Sequence, residues 1–261
     1  MTDKGTPRLV ARNVTVFRGR RRTVDDASVT LNAGELIVLV GPNGAGKTTL
    51  ARALAGLIAC DGDIRFDEQS LLSMEARARA RAISYLPQGH EFHWPMSVDN
   101  IVALGREPHA DPFSGTSDAD RIAVRQAMVA TSIEHLASRT VTTLSGGEQA
   151  RVAIARALTT NAAALITDEP TASLDERHQL IIMGLLRRIA EQGGAVLAII
   201  HDLTLAMRFA DRVVVMNEGR IVANDKPAMA LTPARIADIF GISVNRVETP
   251  DGPLLIPSRA L

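Results

Sequence analysis

The fold of this chain is decided by one stretch of sequence, Glu35-Leu-Ile-Val-Leu-Val40-Gly41-Pro-Asn-Gly-Ala-Gly-Lys47-Thr48. Its first part is an apolar run that ends at a glycine, which is typical of a strand buried on both faces. A helix is predicted to follow, from about Lys47 to Leu57. A strand, a glycine-rich turn and a helix in this order match the pattern G-x-x-x-x-G-K-S/T, which holds the phosphates of a nucleotide.

The physical reason lies in the backbone of the turn. Its glycines let successive N–H groups point inward around a β-phosphate, and the start of the helix adds the positive end of its dipole. Lys47 is expected to reach the β- and γ-phosphates, the Thr48 hydroxyl to ligate Mg²⁺, and Thr49 to reach the α-phosphate. The predicted nucleotide-binding residues of this turn are Gly41, Pro42, Asn43, Gly44, Ala45, Gly46, Lys47, Thr48 and Thr49.

Two carboxylates end a second predicted strand, in the run Ala164-Leu-Ile-Thr-Asp168-Glu169-Pro170. Adjacent strand residues point to opposite sides, but the turn at the strand end can bring both carboxylates near the phosphates. Asp168 suits a place beside Mg²⁺, and Glu169 suits a general base that polarises the attacking water. An acidic helix N-terminus is the alternative explanation of Asp-Glu-Pro, and the presence of the phosphate-binding turn argues against it.

Composition limits the class of protein. The 261 residues are enough for one large α/β domain, with 46% hydrophobic and only 3% aromatic residues. Lys plus Arg and Asp plus Glu both number 29, so no global charge favours nucleic acid. The single cysteine, Cys60, excludes an internal disulfide and suits a reducing compartment. A polar start, and no apolar run of roughly 18–20 residues, predict a cytoplasmic protein that reaches a membrane only through a partner.

The predicted elements alternate between strands and helices on either side of a different middle region. Residues Val10–Thr30 predict two strands joined by an Arg-rich turn at Arg18–Arg22. The other predicted elements are strands at Ala82–Leu86, Ala163–Thr167, Ala195–Ile200 and Arg212–Met216, and helices at Arg177–Gln192 and Leu203–Phe209. From Gly89 to about Thr140 the alternation gives way to a mostly helical pattern, which indicates an insertion. The tail beyond Thr232 has no predicted role.

A third motif, Leu144-Ser-Gly-Gly-Glu148, narrows the interpretation. Together with Gln88, Ser173-Leu-Asp175 and His201, it resembles the ATP-binding subunit of an ATP-binding cassette (ABC) transporter, with every motif in the family's order. The resemblance spans nearly the whole chain. It implies an α/β fold with a RecA-like P-loop NTPase core, a small antiparallel β portion and an inserted helical subdomain. Within a single ABC ATP-binding domain, 1–261, it assigns 1–88 and 158–261 to the core and 89–157 to the helical subdomain.

In that family, the Ser-Gly-Gly motif of one subunit caps the γ-phosphate that the other subunit holds. The resemblance places Ser145, Gly146, Gly147 and Glu148 in this cap, and a helix predicted at Gln149–Leu158 would add its N-terminus as an anion site. The motif cannot serve the phosphate-binding turn of its own chain, so a head-to-tail homodimer is expected. Taken alone, Ser-Gly-Gly would be interpreted as a plain loop.

The resemblance also implies roles for three single residues. Gln88 matches a glutamine that contacts Mg²⁺ and water and reports the nucleotide state to the helical subdomain. His201 matches a histidine that contacts the γ-phosphate and the attacking water, and Asp175 matches a residue that links the two sites across the dimer. The implied catalytic residues are therefore Gln88, Glu169 and His201, and the implied Mg²⁺ contacts are Thr48, Gln88 and Asp168.

This sequence departs from the family pattern at the expected adenine contact. The family usually stacks an aromatic side chain on the base from the turn after the first strand. Here Arg18 occupies that place, with Phe17 beside it, and either could cover the ring, Arg18 by cation–π stacking. A second departure is Glu148, which replaces the commoner glutamine and is a variant familiar among importers.

A further segment, Val102-Ala-Leu-Gly-Arg-Glu-Pro-His109, resembles the importer branch that serves iron-siderophores, haem and cobalamin. The implied cofactors are ATP and Mg²⁺, and the implied partners are integral membrane permease subunits and, indirectly, a substrate-binding protein. The implied location is the cytoplasmic face of the inner membrane. An exporter subunit would suit the core motifs equally well. A soluble ABC ATPase acting on DNA or ribosomes is the alternative of a different class, although such proteins usually fuse two cassettes or carry long coiled coils.

Two other patterns invite interpretations that the sequence does not favour. His90, His93 and His109 could suggest a metal site, but their spacing suits no common zinc pattern. The run Arg18–Arg22 could suggest nucleic acid, but a solvated hairpin turn is the simpler interpretation. No nucleic-acid partner is therefore expected.

Overall fold

The structure is a computed structural model that describes residues 5–89, 92–111, 115–172, 174–249 and 252–261. In chain order its strands and helices are β1 (Pro7–Arg18), β2 (Arg21–Asn32), β3 (Glu35–Val40), α1 (Lys47–Leu54), β4 (Asp61–Phe66), β5 (Gln69–Ser70), α2 (Ala76–Ala82), β6 (Ile83–Leu86), α3 (Val98–Ala103), α4 (Asp118–Ala130), α5 (Gly146–Thr159), β7 (Ala164–Asp168), α6 (Glu176–Glu191), β8 (Ala195–Ile199), α7 (Leu203–Phe209), β9 (Arg212–Asn217), β10 (Arg220–Asp225), α8 (Pro227–Ala230), α9 (Pro233–Phe240), β11 (Ile242–Thr249) and β12 (Gly252–Ala260). Short 3₁₀ turns lie at Leu71–Ser73, Leu104–His109, Glu134–Leu136 and Val141–Thr143.

A six-stranded sheet with the order β10-β9-β3-β8-β7-β6 forms the centre of the molecule. All of its neighbouring strands are parallel except β10, which runs antiparallel to β9. Side chains of β3 alternate between two apolar clusters, with Ile37 and Leu39 on one face and Leu36 and Val38 on the other. Both faces of the sheet are therefore covered, which explains why its strands appear as continuous apolar runs in the sequence.

The N-terminal part forms a separate antiparallel sheet of the order β2-β1-β4-β5. The hairpin β1–β2 turns at Gly19-Arg20, and Phe17 pairs with Arg22 while Arg18 pairs with Arg21 across it. The predicted pair of strands with an Arg-rich turn is thus confirmed. Apolar side chains of this sheet and of α1 join the cluster on one face of the central sheet, which holds the phosphate-binding turn against the hairpin.

Helices α3, α4 and α5 have an apolar cluster of their own, with members that include Val98, Met128 and Val152. Helix α5 contributes to two clusters, because Val152 faces α3 and α4 while Ile154 faces the central sheet. The helical region and the central sheet therefore share α5. Whether residues 89–157 act as a subdomain stays a prediction, since the shared helix gives no clean boundary within the described residues.

Several predicted boundaries were wrong, and those at α1, α2 and α5 are the following. Helix α1 ends at Leu54 rather than Leu57, because Gly56 adopts a left-handed conformation with φ of 67° just after it. Ala82 ends α2 instead of starting β6. Helix α5 begins at Gly146 rather than Gln149, because Ser145 caps it.

The tail without a predicted role folds back onto the core. Helix α9 is followed by the hairpin β11–β12, in which Leu255 is buried. The Thr204 hydroxyl of α7 donates to the Leu255 carbonyl oxygen at 3.0 Å and accepts from its N–H at 3.3 Å, which fixes the hairpin against α7. In the part of the chain that the structure describes, no helix is long and apolar enough to cross a membrane.

Candidate nucleotide-binding site

The phosphate-binding turn lies between β3 and α1, at the carboxyl end of the central strand. Gly46 precedes α1 with a φ of 100°, and a β-carbon on it would come within 2.3 Å of the Thr23 carbonyl oxygen, so only glycine fits there. Lys47 is 6% exposed, and its ammonium group donates to the carbonyl oxygens of Gly41 at 2.8 Å and Pro42 at 2.9 Å. Burial lowers the pKa of Lys47, while the charges of Glu169 and Asp168 oppose that shift.

A cleft of about 640 Å³ opens over this turn. It is lined on one side by Asn43–Thr49 and Glu169 and on the other by Arg18, Arg21 and Arg22 of the β1–β2 hairpin. Phe17, the other residue considered for the adenine contact, does not line the cleft; the Arg22 guanidinium carbon lies 5.6 Å from the centre of its ring. The hairpin therefore presents arginines to a nucleotide in the cleft.

Two of the three groups expected around Mg²⁺, Thr48 and Asp168, meet behind the turn, whereas Gln88 contacts Glu169. The Thr48 hydroxyl donates to one carboxylate oxygen of Asp168 at 3.1 Å, and the Tyr85 hydroxyl donates to the other at 3.1 Å. Asp168 is fully buried at the end of β7, and burial raises its pKa, while these two hydrogen bonds oppose the shift. Hydroxyl and carboxylate oxygens are the ligands that Mg²⁺ prefers, so the residues present fit the ion.

Tyr85 is the residue of this group that sequence analysis missed. It lies in β6, which pairs in parallel with β7, and the register places Tyr85 opposite Ile166 and Leu86 opposite Thr167. The signal available in the sequence was its position three residues before Gln88, within a predicted strand. Burial raises the pKa of the Tyr85 hydroxyl, which keeps it protonated as a donor to Asp168.

Glu169 directly follows β7 and has a left-handed backbone conformation, with φ of 53°. Such a conformation is strained for a residue with a side chain and is common at functional sites. One carboxylate oxygen of Glu169 accepts from the Gln88 amide at 2.7 Å, and the other lies 2.7 Å from Nε2 of His201. Gln88, Glu169 and His201 follow β6, β7 and β8, so three neighbouring strand ends bring the implied catalytic residues together.

The residues of the Ser-Gly-Gly motif lie at a different helix start. The Ser145 hydroxyl accepts from the N–H of Glu148 at 3.4 Å, and the Glu148 carboxylate accepts from the Ser145 N–H at 2.8 Å. This reciprocal capping lowers the pKa of Glu148, with the backbone hydrogen bond as the largest cause. Ser145 and Gly146 are exposed, and no atom lies within 4 Å of the position of a β-carbon on Gly146.

Asp175 caps the N-terminus of α6 and accepts from the backbone N–H of His178 at 2.8 Å and from its Nδ1 at 2.7 Å. These bonds lower the pKa of Asp175. The residues that line the cleft include neither the described stretch 145–148 nor Asp175. Ser173, which belongs to the same motif as Asp175, lies outside the described residues.

The segment of the importer resemblance packs against the end of α5. Arg106 pairs with Asp120 at 2.7 Å and donates to the Thr159 carbonyl oxygen at 2.8 Å, and His109 lies 2.8 Å from the Thr160 carbonyl oxygen. The His109 ring is thus in contact with a backbone carbonyl oxygen, and His90 lies outside the described residues. Across the described ranges, no group of three His, Cys, Asp or Glu side chains is placed to hold a metal ion.

Comparison with known proteins gives the family. Residues 24–172 match the ABC transporter family. The chain is 42% identical over 259 residues to the hemin import ATP-binding protein HmuV of Myxococcus xanthus, covering 95% of this chain and 96% of that protein. It is 40% identical over 258 residues to the protein of the same name from Rhodococcus jostii, covering 98% of this chain and 88% of that protein.

Solved structures agree in fold. A metal-chelate type ABC transporter in an inward-facing conformation superposes with a TM-score of 0.85 at 24% identity, covering 97% of this chain and 98% of that chain. A dimeric bacterial ABC transporter cassette superposes with a TM-score of 0.73 at 25% identity, covering 84% of this chain and 98% of that chain. The predicted α/β fold and the resemblance on which it rested are confirmed, and the chain belongs to the ABC transporter family as an ATP-binding subunit.

Proposed function

We propose that this chain is the ATP-hydrolysing subunit of an importer for haem or a related iron complex, working as a head-to-tail homodimer on integral membrane permease subunits. The observation that carries the ATPase part is the contact of Glu169 with both Gln88 and His201 beside the phosphate-binding turn. A carboxylate held by an amide and an imidazole at the mouth of a phosphate site is suited to orient and polarise a water molecule.

The role of each residue in the cleft is proposed from its contacts. Lys47 would exchange its bonds with the carbonyl oxygens of Gly41 and Pro42 for the phosphates, as a charge-assisted donor. Thr48, Asp168 and Gln88 would hold Mg²⁺, which supplies charge neutralisation for the phosphates. Glu169 is proposed as the general base, and His201 as the group that keeps its carboxylate oriented.

The adenine contact is proposed to be Arg18 rather than Phe17. Arg18 lines the cleft opposite the phosphate-binding turn, while the ring of Phe17 lies outside it, beside Arg22. A guanidinium is planar and can stack on a purine face, so Arg18 can take the place of the aromatic side chain. Arg21, its cross-strand partner, would add charge for the phosphates.

The homodimer is proposed because the Ser-Gly-Gly motif, which is expected to contact the γ-phosphate, lies away from the phosphate-binding turn of its own chain. The Ser145 hydroxyl and the backbone of Gly146 lie at an exposed helix start outside the cleft of their own chain. A helix N-terminus with exposed glycine is suited to bind an anion supplied by a second copy. The segment 89–157 is proposed as the helical subdomain, and its surface as the place where the permease subunits bind.

Import and the cargo are proposed from the relatives, which are named for hemin import and match nearly the full length of the chain. The fold by itself does not separate import from export, because a cassette of a bacterial Atm1-family exporter also superposes, with a TM-score of 0.72 at 26% identity. With permease partners, the chain would lie at the cytoplasmic face of the inner membrane, and a substrate-binding protein would deliver the cargo.

The deciding experiment is uptake by a strain that lacks this gene. The strain is offered labelled haem, iron-siderophore and cobalamin in parallel, and is complemented with the native gene, Glu169→Gln or Glu68→Gln. Glu68 is exposed, does not line the cleft and lies outside the segment 89–157, so Glu68→Gln is the matched control. We expect selective loss of haem uptake, restored by the native gene and the control but not by Glu169→Gln. Normal uptake of all three cargoes in a strain without a second transporter would contradict the import proposal.

A further inference from the structure

His178 connects the two segments that the proposed dimer presents to its second copy. A β-carbon on Gly147 would lie 2.4 Å from Cδ2 and 2.7 Å from Nε2 of His178, so the imidazole lies directly against the backbone of the first turn of α5. The other edge of the same ring faces Asp175, at 2.7 Å between Nδ1 and Oδ1. One side chain therefore touches the Ser-Gly-Gly motif and the Asp175 loop at once.

The position of the ring is fixed from both sides. Asp175 is ionised at neutral pH and can only accept, so Nδ1 of His178 carries the proton and donates. The backbone N–H of His178 donates to the same oxygen at 2.8 Å, and the side chain of His178 is only 23% exposed. Rotation of the ring would break this bond or drive the ring into Gly147.

Each of the two loops is also tied to its own helix by a glutamine. The Gln149 amide of α5 donates to the carbonyl oxygens of Val141 at 3.2 Å and Leu144 at 3.3 Å, ahead of the Ser-Gly-Gly motif. The Gln179 amide of α6 donates to the carbonyl oxygen of Leu174 at 3.1 Å, ahead of Asp175. Each loop therefore moves with its helix, and the contact between the two helix starts is the His178 ring.

We propose that His178 is a positioning residue that couples the phosphate cap of one chain to its Asp175 loop, so that closure on one ATP favours closure at the second site. The proposal rests on the head-to-tail dimer proposed above. When Ser145 and Gly146 bind the γ-phosphate held by the second copy, a shift of α5 moves the His178 ring with Gly147. The hydrogen bond to Asp175 then carries the shift to the loop that follows Glu169 in the same chain.

The test compares variants that separate the two contacts of the ring. His178→Asn keeps a donor for Asp175 but removes the ring from Gly147, His178→Phe keeps a ring but removes the donor, and His178→Ala removes both. His135, which is exposed on the 3₁₀ turn Glu134–Leu136, supplies the control His135→Ala. Full-length protein is assayed for ATPase rate against ATP concentration, and for binding of Mg-ADP, which does not require the second copy.

For all three His178 variants, we expect the Hill coefficient of hydrolysis to fall from about 2 to about 1, the values for two coupled and two independent sites. The rate at saturating ATP should fall between roughly twofold and thirtyfold, the usual range for a coupling residue. Mg-ADP affinity should stay within about twofold of native, because His178 does not line the cleft. His135→Ala should match the native protein in each measurement.

A native Hill coefficient and native rate in His178→Ala would overturn the coupling role, even if the variant melts at a lower temperature, because His178 would then be merely structural. A native protein that hydrolyses ATP without cooperativity would also overturn it, while leaving the proposed ATPase function intact. Absence of hydrolysis by the native protein would instead count against the proposed function. The two failures are therefore distinguishable.

Discussion

Two glycine-rich helix starts in this molecule differ in how complete they are. At the start of α1, the polar side chains around the turn have partners in the same chain, from Lys47 to Glu169. At the start of α5, the Ser145 hydroxyl has only the local capping contact with Glu148, and it and the Gly146 backbone are exposed and lie outside that cleft. Both helix starts can bind an anion, but the first is surrounded by strand ends that supply the rest of a site, and the second is not.

Under the proposed function, the start of α1 belongs to a complete phosphate site, and the start of α5 is a half site that a second copy completes. Parallel strands end at the same edge of the sheet, so β3, β6, β7 and β8 concentrate the chemistry there. The start of α5 lies in the helical region, away from those strand ends, with the apolar side chains of Leu144 and Val152 nearby and His178 against Gly147. A second copy is the expected source of the missing groups, and the following predictions test that expectation.

The largest effect is expected from Glu169→Gln, which changes the complete site and leaves the half site intact. Loss of the general base should lower the rate of hydrolysis by roughly 10²- to 10⁴-fold. Because binding residues are retained, the variant should accumulate as an ATP-bound dimer, detected by size-exclusion chromatography with ATP. Glu68→Gln should behave as native. Turnover by Glu169→Gln at the native rate would show that the general base has been assigned wrongly.

The next effect tests whether the start of α1 in one chain acts together with the start of α5 in the other chain. Lys47→Ala should lose most nucleotide affinity, and Gly146→Asp should repel the γ-phosphate, although the position has room for a side chain. Each variant alone should be inactive. A mixture should regain up to roughly a quarter of native activity, because random pairing makes half of the dimers mixed, with one intact site each.

Controls for the mixture are available in the same chain. Lys226 is exposed and distant from the cleft, so Lys226→Ala should bind nucleotide normally. Gly146→Ala adds volume without charge and should retain more activity than Gly146→Asp. Failure of the mixture to recover any activity, with both proteins folded and dimeric, would contradict the head-to-tail arrangement.

A smaller effect is expected at Arg18, which lines the cleft from the β1–β2 hairpin. Arg18→Ala should weaken ATP binding by about two- to fivefold, the scale of one exposed cation–π contact. Arg18→Tyr should restore ATP binding but not the binding of inorganic tripolyphosphate, because tyrosine stacks on a base without adding charge. Arg20→Ala, in the same turn but outside the cleft lining, is the control. Equal effects of Arg18→Ala and Arg20→Ala, measured by calorimetry, would assign Arg18 to general charge only.

The smallest effect is a change in folding stability at Asp168. Because burial raises the pKa of Asp168, the folded chain favours the protonated carboxyl, and the ionised form destabilises the fold above that pKa. Asp168→Asn should therefore raise the free energy of unfolding without nucleotide, on the order of 1 kcal/mol near pH 7. The gain should be full above the folded-state pKa of Asp168 and should disappear as the pH falls from that pKa to the lower pKa of the unfolded chain, since the native carboxyl then becomes neutral as well.

Urea unfolding at two pH values measures this gain, with Asp238→Asn, on the exposed side of α9, as the control. Hydrolysis by Asp168→Asn should be lost, because the Mg²⁺ site loses its carboxylate. A variant that is less stable than native at pH 7 would mean that the hydrogen bonds from Thr48 and Tyr85 outweigh the burial of the charge.

Sequence reasoning predicted best where the deciding interactions are local. The phosphate-binding turn, its strand and its helix follow from adjacent residues, and so do the hairpin at Arg18–Arg22 and the strand that ends at Asp168. Boundaries failed where a capping group decided the helix end, as at Ser145, whose bond with Glu148 started α5 three residues earlier than predicted. The adenine contact stayed open because strand register, rather than position in the sequence, decides which side chain faces the cleft.

By itself, the sequence determined the fold class and the family and predicted the phosphate-binding residues, because these depend on short patterns with a direct physical meaning. Only the tertiary structure decided which residues from distant segments meet. Tyr85 reaches Asp168 across 83 positions because β6 and β7 pair in a particular register. His178 reaches Gly147 because α5 and α6 cover the same face of the sheet. Such contacts depend on packing of the whole chain, which no local pattern encodes.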